Sequence, residues 1–220
     1  MDDIFNKYIP LLWRGIDPKY QITENEVKTW VLSFYTMLNR FSDLPYEKVE
    51  NGLSLLKHQR VNTREHFIKI DAVSDKLAFI ARGLFRVYYI TDDGSEKILV
   101  FRGSGYMLSA FSAFLENKVS WFGIQALEES DLLYITFEDY KKQVQKDPFW
   151  QIINARYIEM LFIEKEKRER ELLSDNAETR YKHFLKKYPG FETRIKQYHI
   201  ASYLGISPVA LSRIRNKRKS

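Results

Sequence analysis

Residues 196–220, KQYHIASYLGISPVALSRIRNKRKS, decide how this chain is read. Ile200, Ala201 and Leu204 recur at helical spacing, so 197–204 reads as a short amphipathic helix. Gly205 follows at once, and glycine most easily takes the left-handed conformation that closes a helix. Ser207 can then accept a backbone N–H as an N-cap, and Pro208 suits the first helical position, where a missing donor costs nothing. A second helix starts there, with Val209, Leu211 and Ile214 available for packing and Arg213, Arg215, Lys217, Arg218 and Lys219 left outward. Helix, glycine turn and capped basic helix is helix-turn-helix grammar, in which the second helix enters the DNA major groove. The same connection also joins plain helical hairpins, so charge has to separate the two readings.

Charge favours the DNA reading. From Asn176 onward there are eleven Lys and Arg against Glu178 and Glu192, a net +9. The whole chain is +6, which leaves residues 1–175 at −3. A basic module on a mildly acidic body is the footprint of phosphate contact.

The 220 residues suit one or two domains, and 45% apolar residues can bury a sizeable core. The absence of cysteine excludes a disulfide framework, thiolate zinc, cysteine-held iron–sulfur clusters and a cysteine nucleophile. No apolar run approaches the ~20 residues of a membrane span, and MDDIFNKYIP lacks a basic signal-peptide head. The expectation is a soluble, cytoplasmic protein with no membrane partner.

Upstream, residues 1–22 read as an irregular or short-helical lead. Glu24 to Phe41 reads as a helix, because Val27, Trp30, Val31, Phe34, Met37, Leu38 and Phe41 keep the spacing of one apolar face. Tyr46 to about Leu53 reads as a second, shorter helix. From Ser54 the texture changes to short Val-, Ile-, Phe- and Tyr-rich segments between turn signals. Expected strands are 55–61, 66–70, 77–81, 83–90, 96–101, 120–126 and 131–136, with a hairpin at Asp92-Asp93-Gly94. Seven short strands without a crossover helix predict an antiparallel barrel or jelly roll.

Residues 137–146 read as a short helix, and 149–173 as a long one without Gly or Pro. Its first half is apolar, at Phe149, Ile152, Ile153, Tyr157, Met160, Leu161 and Ile163. Its second half is a charge run with Glu164–Arg168 and Glu166–Arg170 at i,i+4. Such a helix fits a homodimer seam; the alternative is one buried helix with a solvated end. Ser174-Asp175-Asn176 can cap a further helix over 177–187.

This order resembles the CRP/FNR family of bacterial transcription regulators. KLAFIARGLFRVYYITDDGSEKILVF at 76–101 is similar to the family's β-roll core, and GISPVALSRIRNK at 205–217 to its recognition helix. The likeness spans about Leu38 to Lys219, with the first 37 residues as an extension. It implies an α+β fold: a helical lead (1–53), an antiparallel β-roll or jelly-roll sensor domain (54–146), a long dimerisation helix (147–174) and a C-terminal helix-turn-helix domain (175–220). It also implies a homodimer that binds double-stranded DNA and carries out no catalysis. Arg213 matches the groove-facing Arg, able to grip guanine O6 and N7 together. Ser207 matches the helix-start hydroxyl, and Lys196, Gln197 and Tyr198 fall where members contact phosphates. Ser212, Arg215 and Lys217 complete the expected DNA surface. Val209 stands where many members have Glu; with Pro208 and Ala210 beside it, only apolar base contacts are available, so a different operator is expected.

The sensor departs from the family. Nucleotide-binding members carry Gly-Glu for the ribose and Arg-Ser/Thr for the cyclic phosphate; here the matching positions are Ser109-Ala110 and Ser120-Trp121. A phosphate buried opposite Ser120 without a cation faces a severe desolvation cost. Lys118 is the nearest substitute in sequence. Cyclic AMP in the usual pose is therefore not expected. Met107, Leu108, Ala110, Phe111, Phe114, Ser120, Trp121 and Phe122 read either as an apolar effector pocket or as a core packed shut. His58, His66, His183 and His199 are scattered, so neither haem, metal nor another cofactor is expected. The competing reading from another class is a cupin-like barrel enzyme or small-molecule-binding protein with a basic tail, but such barrels need a His-x-His pair and none occurs. A DNA-bound scaffold that has lost regulation is a third reading.

Overall fold

Thr23 fixes where the helical lead begins. In this computed structural model, which describes residues 8–43 and 45–219, its hydroxyl accepts from Glu26 N–H at 3.3 Å. The Glu26 carboxylate returns the contact to Thr23 N–H at 2.8 Å, a reciprocal capping box. A five-residue helix, α1 (Ile9–Trp13), precedes it. The helix it caps, α2 (Glu24–Leu38), buries the expected stripe from Val27 to Leu38. It stops three residues early because the chain tightens into i→i+3 turns at Arg40 and Phe41. Next comes α3 (Tyr46–Ser54).

Eight strands follow: β1 (Lys57–Val61), β2 (His66–Ile68), β3 (Lys76–Arg82), β4 (Leu84–Ile90), β5 (Glu96–Gly103), β6 (Met107–Leu108), β7 (Gly123–Ala126) and β8 (Ser130–Thr136). They form two four-stranded sheets, β1-β8-β3-β6 and β2-β7-β4-β5, the antiparallel β-roll that the sequence predicts. All seven expected strands exist. The pair β6 was not expected, since two residues carry no readable alternation. Residues 120–122 form a turn rather than the start of β7: Ser120 Oγ donates to Phe122 O at 2.7 Å and accepts from its N–H at 3.3 Å. Between β6 and β7 lies α4 (Phe111–Glu116).

Strand β3 is buried at five consecutive residues, Leu77 to Ala81, so both its faces are covered. Leu77 and Phe79 face the helical lead, where Phe34 meets Phe79 edge-on at 5.3 Å. At the end of β3, Gly83 has φ +125°, and a Cβ there would lie 2.0 Å from Ser130 Oγ.

Asp131 in β8 is the one acidic residue buried completely in this sheet. Register places Arg60 of β1 on one side of it and Arg82 of β3 on the other. Its carboxylate accepts from Arg60 Nε at 2.8 Å, Arg82 Nε at 2.9 Å and His58 Nε2 at 2.9 Å. Burial alone raises the carboxyl's pKa, but the bonds from His58, Arg60 and Arg82 outweigh it and hold the group below the usual carboxylate range.

Beyond the roll come α5 (Phe137–Lys146) and α6 (Pro148–Ser174), a single helix of 27 residues. Then come α7 (Ala177–Lys187), the one-turn α8 (Phe191–Arg194), α9 (Gln197–Leu204) and α10 (Pro208–Lys219). Asn176 caps α7 as expected, accepting from Thr179 N–H at 2.9 Å. The expected Glu164–Arg168 pair is not made: Glu164 holds Lys187 at 2.8 Å, and Arg168 turns onto Tyr203. The chain forms two compact units, one up to Arg86 with Phe101–Tyr157, the other Val87–Val100 with Ile158–Ser220. The β4–β5 hairpin arm thus groups with the C-terminal helices, a long-range association that local patterning does not carry. None of the described helices is long and apolar enough to cross a membrane.

Two stability tests follow from these positions. Gly83→Ala combines a left-handed φ with a steric clash and should cost about 3 kcal/mol. Gly94→Ala in the hairpin turn has φ +78° but open space around it, and should cost only about 1 kcal/mol. Urea unfolding followed by circular dichroism compares the two; equal losses would contradict the packing argument. Asp131→Asn should lose about 2 kcal/mol at neutral pH by removing the buried charge that Arg60 and Arg82 share, although both keep Glu129 within 4.0 Å. Because the folded carboxyl titrates below its unfolded pKa of ~3.9, its contribution is complete above that value and fades as pH falls. Melts from pH 7 to pH 3 should show wild type and variant converging on the acid side.

Candidate nucleic-acid interface and effector region

The turn between α9 and α10 forms as the residues dictate. Gly205 sits at φ 67°, ψ 35°, in the left-handed region, and its N–H reaches the Ser202 carbonyl at 3.1 Å. Ser207 Oγ accepts from Ala210 N–H at 3.2 Å, which caps α10 with Pro208 at its first position. Leu211 is fully buried and Ile214 half-buried. Val209 departs from the packing role: it is 62% exposed. Pro208, Val209, Ser212, Arg213 and Lys217 are all exposed, and their 3-4 spacing puts them on one outward face. Arg213 makes no ion pair or hydrogen bond to the described residues. Ser207, Lys196, Gln197 and Tyr198 are exposed too, the last three at the start of α9.

Two of the expected DNA residues are held by acids. Arg215 Nε lies 3.0 Å from Glu192 Oε1, the oxygen that also accepts from Tyr181 OH. Lys217 Nζ lies 3.4 Å from Glu178 Oε2 but stays 77% exposed.

Sequence reasoning missed what holds α9. Its last carbonyls, orphaned by helix geometry, are met by two arginines. Arg168 of α6 donates to Tyr203 O, with its guanidinium 3.9 Å from the Tyr203 ring centroid. Arg180 of α7 donates from Nε to Leu204 O at 2.9 Å. Arg168 sat inside EKEKRERE, where nothing distinguishes a buried arginine from its solvated neighbours. Ser202 also ties α9 to the hairpin arm: its hydroxyl donates to Glu96 O and accepts from Ile98 N–H, each at 3.0 Å.

In the roll, Ser120 is fully buried with its hydroxyl spent on Phe122. Lys118 is exposed and paired with Glu116 at 2.7 Å. Leu108 and Ala110 are buried, Met107 and Phe111 half-buried. Phe111 stacks on Phe114 at 6.2 Å and meets Tyr157 edge-on at 5.2 Å. Trp121, expected to point inward, is 76% exposed. The turn over 120–122 sends that ring to solvent, so Trp121 does not line the interior of the roll.

Residues 58–147 match the cyclic nucleotide-binding domain family. Solved structures extend the likeness in fold to the remaining helices. FixK2 from Bradyrhizobium japonicum superposes with a TM-score of 0.64 at 16% identity, over 74% of this chain and 83% of that one. CLP of Xanthomonas campestris, a c-di-GMP-responsive global regulator, gives 0.63 at 18% identity, over 80% and 92%. A CooA mutant from Carboxydothermus hydrogenoformans gives 0.62 at 19%, over 82% and 86%. None of the curated proteins matches the sequence. At these identities the shared property is the fold.

Glu192 restrains Arg215, so Glu192→Gln should tighten binding to non-cognate duplex DNA about threefold at low salt and steepen its salt dependence. Fluorescence anisotropy at two salt concentrations reads both quantities. An unchanged slope would mean that Arg215 does not reach phosphate.

Proposed function

We propose that this chain is a homodimeric, sequence-specific DNA-binding transcription regulator of the CRP/FNR type. The observation that carries the reading is the outward face of α10, where Val209, Ser212, Arg213 and Lys217 stand exposed on a helix capped by Ser207. Arg213 is the base reader, placed for two hydrogen bonds to guanine, and Val209 is free to meet a thymine methyl. Lys196, Gln197 and Tyr198 hold the backbone and set register.

The dimer reading is supported by α6. Ile158, Met160, Phe162 and Ile163 are 39%, 39%, 68% and 47% exposed in the single chain. Apolar side chains on a long helix gain by pairing, at roughly 25 cal/mol per Å2 removed from water. Two copies would present their recognition helices to half-sites about one DNA turn apart, roughly 34 Å.

Cyclic AMP is not the effector in the usual pose. Ser109-Ala110 and Ser120-Trp121 stand at the ribose and phosphate positions in place of a carboxylate and a guanidinium, and Lys118, the nearest lysine in sequence, is engaged by Glu116.

Selection of random duplex DNA by the wild-type protein should enrich a palindrome. Arg213→Ala should weaken binding about tenfold or more and relax the preference at one base step per half-site. Salt-sensitive binding without a consensus would reduce the C-terminus to a basic surface and overturn the reading.

A further inference from the structure

An apolar space in the N-terminal unit lies away from where a nucleotide would sit. It lies between the outer face of the β1-β8-β3-β6 sheet and the helical layer built from α2, α3, α5 and the first turns of α6, with a volume of about 100 Å3. Phe34 of α2, Phe41 just beyond its end, Phe79 of β3 and Leu133 of β8 form its walls. Of the residues singled out around the roll's nucleotide region, only Met107 reaches it. The helical layer is fastened around this space by polar contacts at its rim: Arg156 donates to Phe41 O, and Lys48 pairs with Asp147.

No Lys, Arg, His, Asp or Glu lines the cavity. An ionised ligand would be stripped of water without a countercharge, so it is excluded on energetic grounds. Two of the polar groups present satisfy each other, since Tyr140 OH donates to Asn154 Oδ1. Burial pushes the Tyr140 hydroxyl up to about 12, so it stays neutral here.

Gln143, half-buried, also lines the space, and one fully buried donor remains. Trp150 Nε1 is buried and has no partner among the described residues. Its ring is seated against Gly52, where an added Cβ would lie 3.0 Å from Cη2, so the indole is held in place rather than free to seek solvent. A buried donor without an acceptor costs about 1–3 kcal/mol, and native structures rarely leave one without a reason.

We propose that this cavity is a ligand site for a small neutral molecule, one ring or a short branched chain in size, carrying a single hydrogen-bond acceptor that meets Trp150 Nε1–H. Size sets the first limit: an engineered apolar cavity of about 150 Å3 accepts benzene, so about 100 Å3 leaves room for nothing larger than a single ring. The wall chemistry sets the second, and the unmet donor the third. A ketone, ether or alcohol oxygen fits all three; a nucleotide fails on size and charge, and a carboxylate fails on charge. The site shares no residue with α9 or α10, so it and the DNA reading stand or fall separately.

The test uses the full chain labelled with 15N-tryptophan. Its four indole N–H signals arise from Trp13, Trp30, Trp121 and Trp150, and Trp150→Phe assigns the fourth. Cyclohexanone should shift the Trp150 signal saturably and leave Trp121 unmoved. Methylcyclohexane should bind about tenfold more weakly by calorimetry, the value of one buried hydrogen bond, and cyclohexanecarboxylate should not bind. In Trp150→Phe the preference for ketone over hydrocarbon should vanish. Leu133→Phe or Met107→Phe, each adding bulk inside the cavity, should abolish binding while the dispersed indole signals report an intact fold. A Trp150 signal unmoved by cyclohexanone, equal affinity for ketone and hydrocarbon, or undiminished binding to a folded filled variant would each overturn the proposal.

Discussion

Burial of β3 on both faces is the constraint from which the N-terminal unit follows. Five consecutive buried residues, Leu77 to Ala81, cannot be satisfied by one sandwich partner. The second β-sheet covers one side. The other needs a layer of its own, and α2 supplies it with a stripe of Trp30, Phe34 and Met37. What looks from the sequence like an extension is therefore half of the sheet's environment. The cavity is a by-product of that layer: four helices laid across a twisted sheet leave a gap where their large side chains do not interdigitate.

In the C-terminal unit a few polar contacts do comparable work. A helix of eight residues has more orphan backbone groups than internal bonds, so α9 needs outside partners to be a fixed platform. Arg168 and Arg180 reach its terminal carbonyls from two different helices, and Tyr203 packs beneath a guanidinium. Charged donors bond more strongly than neutral ones, and Arg168 is nearly fully buried. The position of α10 depends in turn on α9, because only three residues with a left-handed glycine separate them. A helix that reads base edges, as proposed for α10, is useful only when placed to within a fraction of a base step, and these contacts fix α9 beside it.

Much of this was legible in order. Gly205, Ser207 and Pro208 act through their own backbone chemistry, so α9 and the start of α10 lie where the spacing puts them. The strands over 76–101 read clearly because alternation and an Asp-Gly turn are local signals. The misreadings share a cause. Trp121 was read inward because aromatic residues favour cores, yet its direction is set by the Ser120–Phe122 turn. Arg168 was read as solvated because its partners, Tyr203 and Glu171, include one thirty-five residues away. The capping box at Thr23 is a local signal, carried by Glu26 three residues on. The cavity left no trace in the pattern, since it is defined by what four helices and a sheet fail to fill.

Helix α6 is the element on which these features converge. Trp150, Ile153, Asn154 and Tyr157 of its first turns line the cavity, its middle exposes the apolar residues of the proposed dimer seam, and Arg168 near its end grips α9. A ligand shifts an equilibrium between helix orientations only through a difference in affinity for them. Apolar contacts discriminate poorly, because neighbouring side chains of similar size slide in and replace one another. A hydrogen bond is directional and weakens steeply once the donor turns away. In a cavity with an otherwise satisfied polar rim, the Trp150 Nε1–H is thus the group through which a small neutral ligand would distinguish one rotation of α6 from another.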